Sequence, residues 1–560
     1  MARNPIRDVG SLNAYSLALG YIQDCIANHQ GCRKPRNMTR LPTRVIDCLD
    51  PSHPILFITE GTSSPYVALS YVWGGEQPHR TMMANIDRYT TEGINIELIP
   101  KTIHDAIRAT VALGLRYLWV DAYCIIQDSR EDKDTQLTHL RHTFQNAHVT
   151  LIASCAPSAF DGFLHDRPTP PPTPMTPCLP FWCADDRLGR VSLQPMCPYN
   201  ADAEPANQRA WCLEERLLSP RKLVYASDTL QYICQTTVTY LGGAIAGPRN
   251  ASERLPDVMF VPDDEVAAYM ASAGMENQWA QLKWAWSDVV ANYTWRAVTK
   301  PKDKLTALGG IAEQFHRVFA ARTGPLVGGL GGGNRYLAGL WEQSLAYDLL
   351  WLKLDDEPRP RPSRYIAPSW SWASVDGQVN LSHAYERTVG PISYSSAAGL
   401  IFCELLWCKV SLEDERLPHG RVKSGILALR SRLVPTTWNT RNPEMKFKLF
   451  VRRDDRQTGN LLMLDVGIEN CYEPGLVICV GEVWIDSAEV VEGDVWVVPI
   501  RWSQDEDLRA AGLLVTSASN GRYKRFGCWE TPELQDESFS QSQTMHRCLD
   551  KCSISDIELI

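Results

Sequence analysis

Residues 117–126 read YLWVDAYCII, an apolar run broken by one acid, Asp121. A run this apolar predicts a strand covered on both faces, as in a parallel sheet, delivering the Asp121 carboxylate at or near its carboxyl end. On its amino-terminal side, Thr102 and Asp105 have the spacing of a capping box, ahead of a helix that carries Ile103, Ile107 and Val111 and stops at Gly114. Before that helix, VALSYV at 67–72 reads as a first strand ending in Trp73-Gly74-Gly75, whose glycines allow a tight loop. After Asp121, Leu137, Leu140, Phe144 and Ala147 recur at helical spacing, and HVTLIA at 148–153 reads as a third strand. The segment 66–153 is therefore predicted as βαβαβ in a three-layer α/β unit.

The rest of the chain changes texture. Seven prolines in RPTPPPTPMTPCLP (167–180) predict an exposed insertion that cannot be a core strand. AWCLEERLLS (210–219) reads as a helix closed by Pro220, and 277–320 reads as helical, with Trp279, Trp286 and Val290 on a shared face. From about residue 365 short β-branched runs opened by glycine, such as GILALRSRLV and GDVWVVPIRW, predict a β-rich carboxyl-terminal domain, a sandwich or barrel. The SWSW tetrad at 369–372 alternates with period two, which on a strand presents both indoles to one buried face. Gly328–Gly333 lacks the flanking strand and Lys-Ser/Thr of a phosphate loop and reads as flexible linkage.

At 560 residues the chain should hold two to four folded units. With 56 basic against 65 acidic residues it has no electrostatic footprint for a nucleic acid, so none is expected as partner. The most apolar-looking stretch, 392–410, contains three serines and Glu404, so no transmembrane segment is expected. Seventeen scattered cysteines behind a start with no apolar leader fit reduced thiols and a cytoplasmic location.

Several of these segments resemble signature blocks of the fungal HET (heterokaryon incompatibility) domain family: ALSYVWG at 68–74, LIPKTIHDAI at 98–107, LGLRYLWVDAYCIIQD at 113–128 and RAWCLEERLLSPR at 209–221. YTWRAVTKPKDKLTALGGIA at 293–312, YLAGLW at 336–341 and YIAPSWSWASVDG at 365–377 resemble the region that accompanies that domain, while Glu214 stands where the family more often has Gln. The resemblance implies fungal non-self recognition, with the domain triggering regulated cell death, and an incompatibility partner protein or self-assembly. It also implies an α/β fold with a TIR-like parallel sheet, some TIR proteins being NAD-cleaving. The expected organisation is a lead-in at 1–65, the HET domain at 66–225, a mostly helical region at 226–364, a β-rich domain at 365–530 and a polar tail at 531–560.

No TIR catalytic motif aligns residue by residue, so NAD as a candidate substrate rests on local chemistry, and no cofactor is assigned. Cleaving an N-glycosidic bond builds positive charge on the ribose, which calls for a placed carboxylate and a flat aromatic surface. Asp121 and Glu215 are the candidate catalytic carboxylates; Trp73, Gly74, Asp128, Arg209, Trp211 and Arg216 are candidate binding residues. Each has a bland reading beside it. Asp121 can serve only to accept loop N–H bonds, Glu215 to pair with Arg209, Arg216 or Arg221, and Asp128 to cap the next helix. The alternative function is a non-catalytic signalling module that assembles and recruits partners. Cys25, His29 and Cys32, with Cys48 or His53 as a fourth, have ligand chemistry suited to zinc. On a helix the three also share one face, which a buried apolar stripe explains, and no metal is assigned from the sequence. Cys124, inside the predicted strand, reads as packing.

Overall fold

The computed structural model describes residues 6–34, 39–168, 178–183, 187–192, 199–241, 246–248, 254–272, 275–321, 334–354, 359–381, 400–438, 447–454, 461–467, 477–489, 494–503, 510–531, 545, 549 and 552–560. The chain forms two compact units, Met1–Val261 and Pro262–Ile560.

The first unit begins with helix α1 (Leu12–Asn28), capped by the Ser11 hydroxyl accepting from the Ala14 N–H at 3.2 Å. Then come strands β1 (Arg44–Asp47), β2 (Ile55–Ile58) and β3 (Tyr66–Ser70), helices α2 (Ile86–Thr91) and α3 (Lys101–Ala112), and strand β4 (Tyr117–Trp119). The short helix α4 (Asp121–Cys124), helix α5 (Arg130–Asn146) and strand β5 (Val149–Ile152) follow. Among the described residues, strands β6 (Cys178–Trp182) and β7 (Leu188–Ser192) pair only with each other. Helix α6 (Ala210–Leu218) then leads into β8 (Arg221–Tyr225), β9 (Leu230–Cys234), β10 (Thr237–Tyr240) and β11 (Ala246–Pro248).

These strands make a nine-stranded sheet in the order β11-β10-β9-β8-β5-β3-β4-β1-β2. The predicted βαβαβ unit lies at its centre, where β8, β5, β3 and β4 are parallel. The parallel-sheet expectation needs correcting at the flanks: β1–β2, β1–β4, β8–β9, β9–β10 and β10–β11 are antiparallel, so the sheet is mixed. Connections as short as the one from Tyr225 to Leu230 cannot hold a crossover helix and can only reverse the chain.

Alternation along β3 sorts its side chains. Val67 and Leu69 pack with Ile103, Ala106 and Ile107 of α3 and with Ala18 and Ile22 of α1. Each buried isoleucine there contributes roughly 1.5–3 kcal/mol. The opposite face meets α5 and α6: the Tyr66 hydroxyl donates to Thr143 O at 2.6 Å, and the Thr150 and Ser219 hydroxyls share a 2.7 Å hydrogen bond. The connection after β3 runs through α3 to β4 and the one after β5 runs through α6 to β8 on the other side, so the two loops diverge beyond the carboxyl ends of β3 and β5.

Three local expectations change. The apolar run at 117–126 is a strand only to Trp119; the chain then turns into α4, fastened by Gln127 Nε2, which donates to Asp121 O at 3.0 Å and Ile125 O at 3.2 Å. Apolar composition alone does not separate a strand from a buried turn of helix. Thr102 and Asp105 form no capping box, since the Thr102 hydroxyl donates to Ser158 O and Asp105 accepts the N–H groups of Phe163 and Leu164. Gly114 does stop α3, at φ +72°. Helix α5 is capped by Ser129, whose hydroxyl accepts from the Asp132 N–H at 3.2 Å. Asp128 is exposed and accepts the Met83 N–H at 2.8 Å instead.

In the second unit the helices are α7 (Val266–Ser272), α8 (Met275–Thr294), α9 (Gly309–Ala320) and α10 (Leu345–Asp348). Trp286 of α8 is fully buried against Phe315 and Trp341. Two short ribbons pair β12 (Tyr336–Leu337) with β13 (Leu340–Trp341) and β14 (Leu352–Lys353) with β15 (Val379–Asn380). Trp370 and Trp372 are buried as expected, but in a turn and a single helical turn rather than a strand, because the Ser371 hydroxyl accepts the Ala373 N–H and caps that turn.

The remaining strands are β16 (Leu400–Phe402), β17 (Glu404–Leu412), β18 (Val422–Arg432), β19 (Val434–Trp438), β20 (Phe447–Asp454), β21 (Leu461–Gly467), β22 (Val477–Ile485), β23 (Val495–Ser503), β24 (Ala510–Ser517), β25 (Tyr523–Glu530) and β26 (Ile554–Leu559). Pairing runs β23-β24-β25-β22-β20-β21-β19 and returns to β23, closing a ring around Leu449, Val480, Val497 and Trp529. Within the predicted polar tail, β26 pairs with β18, burying Ile557 and Leu559 at period two. Gly328–Gly333 and residues 169–177 of the proline-rich insertion lie outside the described residues.

A candidate active site at the carboxyl edge of the first sheet

Beyond the ends of β3 and β4, three separate stretches of sequence meet. The Trp73 indole N–H donates to Asp121 Oδ2 at 2.8 Å, joining the loop after β3 to the start of α4. Asp121 Oδ1 accepts the Ala122 N–H at 2.6 Å, so each carboxylate oxygen has a protein donor. Gly74 makes this loop sterically feasible. Its φ is +70°, and a Cβ there would stand 2.1 Å from Ser158 Cβ, so no larger residue fits.

Glu215 comes from α6 and lies against the end of β3, where the Ser70 hydroxyl faces it. Its Oε2 is buried and makes no hydrogen bond to any described residue. Burial pushes the Glu215 carboxyl up to about 7, with the Asp121 charge adding to the rise and Ser70 and Arg209 opposing it. Burial also raises Asp121, against the Trp73 and Ala122 hydrogen bonds, the nearby Tyr71 hydroxyl and the Arg209 charge. The Asp121 charge thus reaches the Glu215 carboxyl. Tyr71, fully enclosed, has its hydroxyl pushed well above the ordinary tyrosine range by burial and by the neighbouring acids.

Asp121, Trp73, Trp211, Glu215 and Arg209 each keep some solvent exposure, so the cluster borders the surface. Arg209, the residue before α6, supplies positive charge to both acids. Arg216 instead donates to Asn207 Oδ1 at 2.8 Å, and Arg221 is buried, donating to His148 O and Arg33 O. Asp128 instead accepts the Met83 N–H, away from its expected role as a helix cap. Cys124 is buried packing whose Sγ accepts the Val120 N–H at 3.4 Å. Sequence reasoning missed Ser70 and Tyr71, although they sit inside the ALSYVWG block shortly before Trp73.

A groove of about 510 Å³ lies at the other end of β3, lined by Tyr66, Gln136, His139 and His142. It lacks a carboxylate pair, and Glu60 is the acid on its rim.

Of the zinc-type residues, Cys48 and His53 lie apart from the other three. α1 ends at Asn28, so Cys32 is off the helix, and Cys48 is buried beside β1 with its thiol on Ile46 O. His53 lies against Gly93. The side chain that joins Cys25, His29 and Cys32 is Cys234.

Residues 66–215 match the family model of the heterokaryon incompatibility protein (HET). The HET match thus spans Trp73, Asp121 and Glu215, and this three-residue cluster is assembled from its two ends and its middle. No curated protein and no solved structure matches the chain. Among the described residues no helix is long and apolar enough to cross a membrane.

Proposed function

We propose that the HET segment cleaves an N-glycosidic bond, with NAD as the candidate substrate, and that this chemistry drives a cell-death response of heterokaryon incompatibility in the cytoplasm. The observation that carries the reading is the pairing of two carboxylates in contrasting surroundings: Asp121 held by an indole N–H, and Glu215 desolvated with an unpartnered oxygen. Unequal carboxylates side by side are a recurrent way to divide labour between a charge stabiliser and an acid-base group.

In the proposed reaction the bond between ribose C1′ and the pyridinium nitrogen breaks, and its electron pair leaves with neutral nicotinamide. Asp121 stabilises the resulting oxocarbenium charge. Water adds to C1′, and ionised Glu215 takes its proton, giving ADP-ribose. Trp73 or Trp211 offers a stacking face, and Arg209 a guanidinium for the pyrophosphate.

The test is incubation of the purified chain with NAD and measurement of nicotinamide release. The expected rate rises with pH through about 7, where Glu215 ionises. Asp121→Asn and Glu215→Gln should each lower it by roughly 100-fold or more while the chain still unfolds in one cooperative melting transition. Absence of turnover in both dilute and assembled protein refutes the reading.

The second reading is a non-catalytic module that assembles or recruits partners. It draws support from the β6–β7 ribbon, which exposes Leu179, Phe181, Trp182 and Leu188. Under that reading the same two acid variants retain full toxicity in cells.

A further inference from the structure

Away from the acid pair, four ligand-type side chains converge where the end of α1 meets the β9–β10 hairpin. Cys25 lies on the last turn of α1, and His29 is the residue at which the helix stops, its N–H bonded to Cys25 O at 3.2 Å. The chain then reverses and brings Cys32 back, while Cys234 arrives as the last residue of β9. One ligand atom from each lies within 4.8 Å of all the others. Cys234 Sγ is 3.3 Å and Cys32 Sγ 3.8 Å from His29 Nδ1. A tetrahedral zinc ion, with sulfur at about 2.3 Å and nitrogen at about 2.0 Å, holds its ligand atoms roughly 3.5–3.8 Å apart.

We propose that Cys25, His29, Cys32 and Cys234 form a structural zinc site that fastens α1 to the antiparallel flank of the first sheet. The surroundings carry the argument beyond proximity. His29 Nε2 is 3.6 Å from Asp24 Oδ2, and the other oxygen of Asp24 accepts from Asn28 Nδ2 at 2.7 Å. A carboxylate facing one ring nitrogen favours a proton there and leaves the other, Nδ1, for the metal. The Thr237 N–H points at Cys234 Sγ at 3.4 Å, and the Thr236 hydroxyl lies 3.2 Å from Cys32 Sγ, an arrangement that suits thiolate sulfur.

Cys25, Cys32 and Cys234 are buried and the His29 side chain is 16% exposed. Three thiolates and one imidazole in a closed cage fill the tetrahedron and leave no open position, which marks a structural rather than a catalytic metal. Zinc, itself redox-silent, fits this soft donor set. His29 and Cys234 are 205 residues apart in sequence, so the ion closes a long loop and its binding energy becomes folding energy.

The experiment uses the full chain, expressed with added zinc and purified reduced and free of chelator. Elemental analysis should find about one zinc per chain, and cobalt exchanged for zinc should give the d–d bands of a tetrahedral thiolate site. Cys234→Ser and His29→Ala should lose the zinc, whereas Cys48→Ser should keep it. Asp24→Asn should keep the stoichiometry but release zinc to a competing chelator roughly 10–100-fold more readily. If Cys234→Ser does not fold, the metal content and cobalt spectrum of the unsubstituted chain still decide. Unsubstituted chain without zinc, a disulfide among the four residues in place of metal, or zinc unchanged in Cys234→Ser overturns the proposal.

Discussion

Replacing Glu215 by glutamine should make the first unit more stable at alkaline pH and nearly neutral at acid pH. In the folded chain the Glu215 carboxyl is pushed up to about 7 from an ordinary 4.5, chiefly by burial. Because the folded value lies above the unfolded one, folding favours the protonated acid. Its contribution is complete below about pH 4.5 and is lost as the pH rises through about 7. At 1.36 kcal/mol per unit, the full loss has a ceiling of about 3 kcal/mol, and roughly 2.5 kcal/mol of it falls between about pH 5 and pH 8.5. The side chain keeps some solvent contact, and screening lowers the expected effect to roughly 1.5–2.5 kcal/mol. Glutamine keeps the shape but carries no charge to desolvate. For a unit of this size each kcal/mol moves the transition by about 2–4 °C, so calorimetry should show the variant gaining roughly 3–10 °C on the unsubstituted chain between those pH values. Melting temperatures that run parallel across the range, or a variant less stable at about pH 8.5, would refute the claim that Glu215 is held desolvated beside Asp121.

Trp73→Phe removes the indole donor from Asp121 and should cost about 1–3 kcal/mol, read as a lower melting temperature, while raising the Asp121 carboxyl further. A Trp73→Phe chain as stable as the original would mean that this hydrogen bond does not form in solution. Gly74→Ala combines a backbone at φ +70° with a Cβ overlapping Ser158, and should destabilise the first unit by more than about 1 kcal/mol in urea titrations; a neutral result would contradict the packing of that loop. In the second unit, Lys283 is buried with its ammonium 2.7 Å from Asp348 Oδ1 and also bonded to the Ser344 hydroxyl. Lys283→Met alone should cost about 3–5 kcal/mol by leaving a buried carboxylate uncompensated, and adding Asp348→Leu should recover most of it; an equal loss in both variants would point to packing instead of charge.

The acid pair illustrates how far local patterning reaches. Asp121 stood out because a single carboxylate interrupts an apolar run, and Glu215 because it shares a helix face with Trp211. Neither signal required knowledge of distant residues. The Trp73 contact with Asp121 bridges 48 positions, and which end of the sheet each loop reaches follows from strand order. The capping-box spacing of Thr102 and Asp105 is equally local, yet both side chains are taken by the loop after β5, a competitor that no window around α3 contains.

The sequence by itself determined the alternation of strands and helices in the first unit, the β-rich character of the carboxyl-terminal region and the chemical types available for a site. Periodicities of two and 3.6 are written in near neighbours, and burial of one face enforces them. Only the tertiary structure decided that the flanking strands reverse, that the β-rich region closes into a ring, that Glu215 joins Asp121, and that Cys234 completes the cysteine–histidine cluster. Those outcomes depend on which surfaces pack together, and residues far apart in the chain carry no spacing that records it.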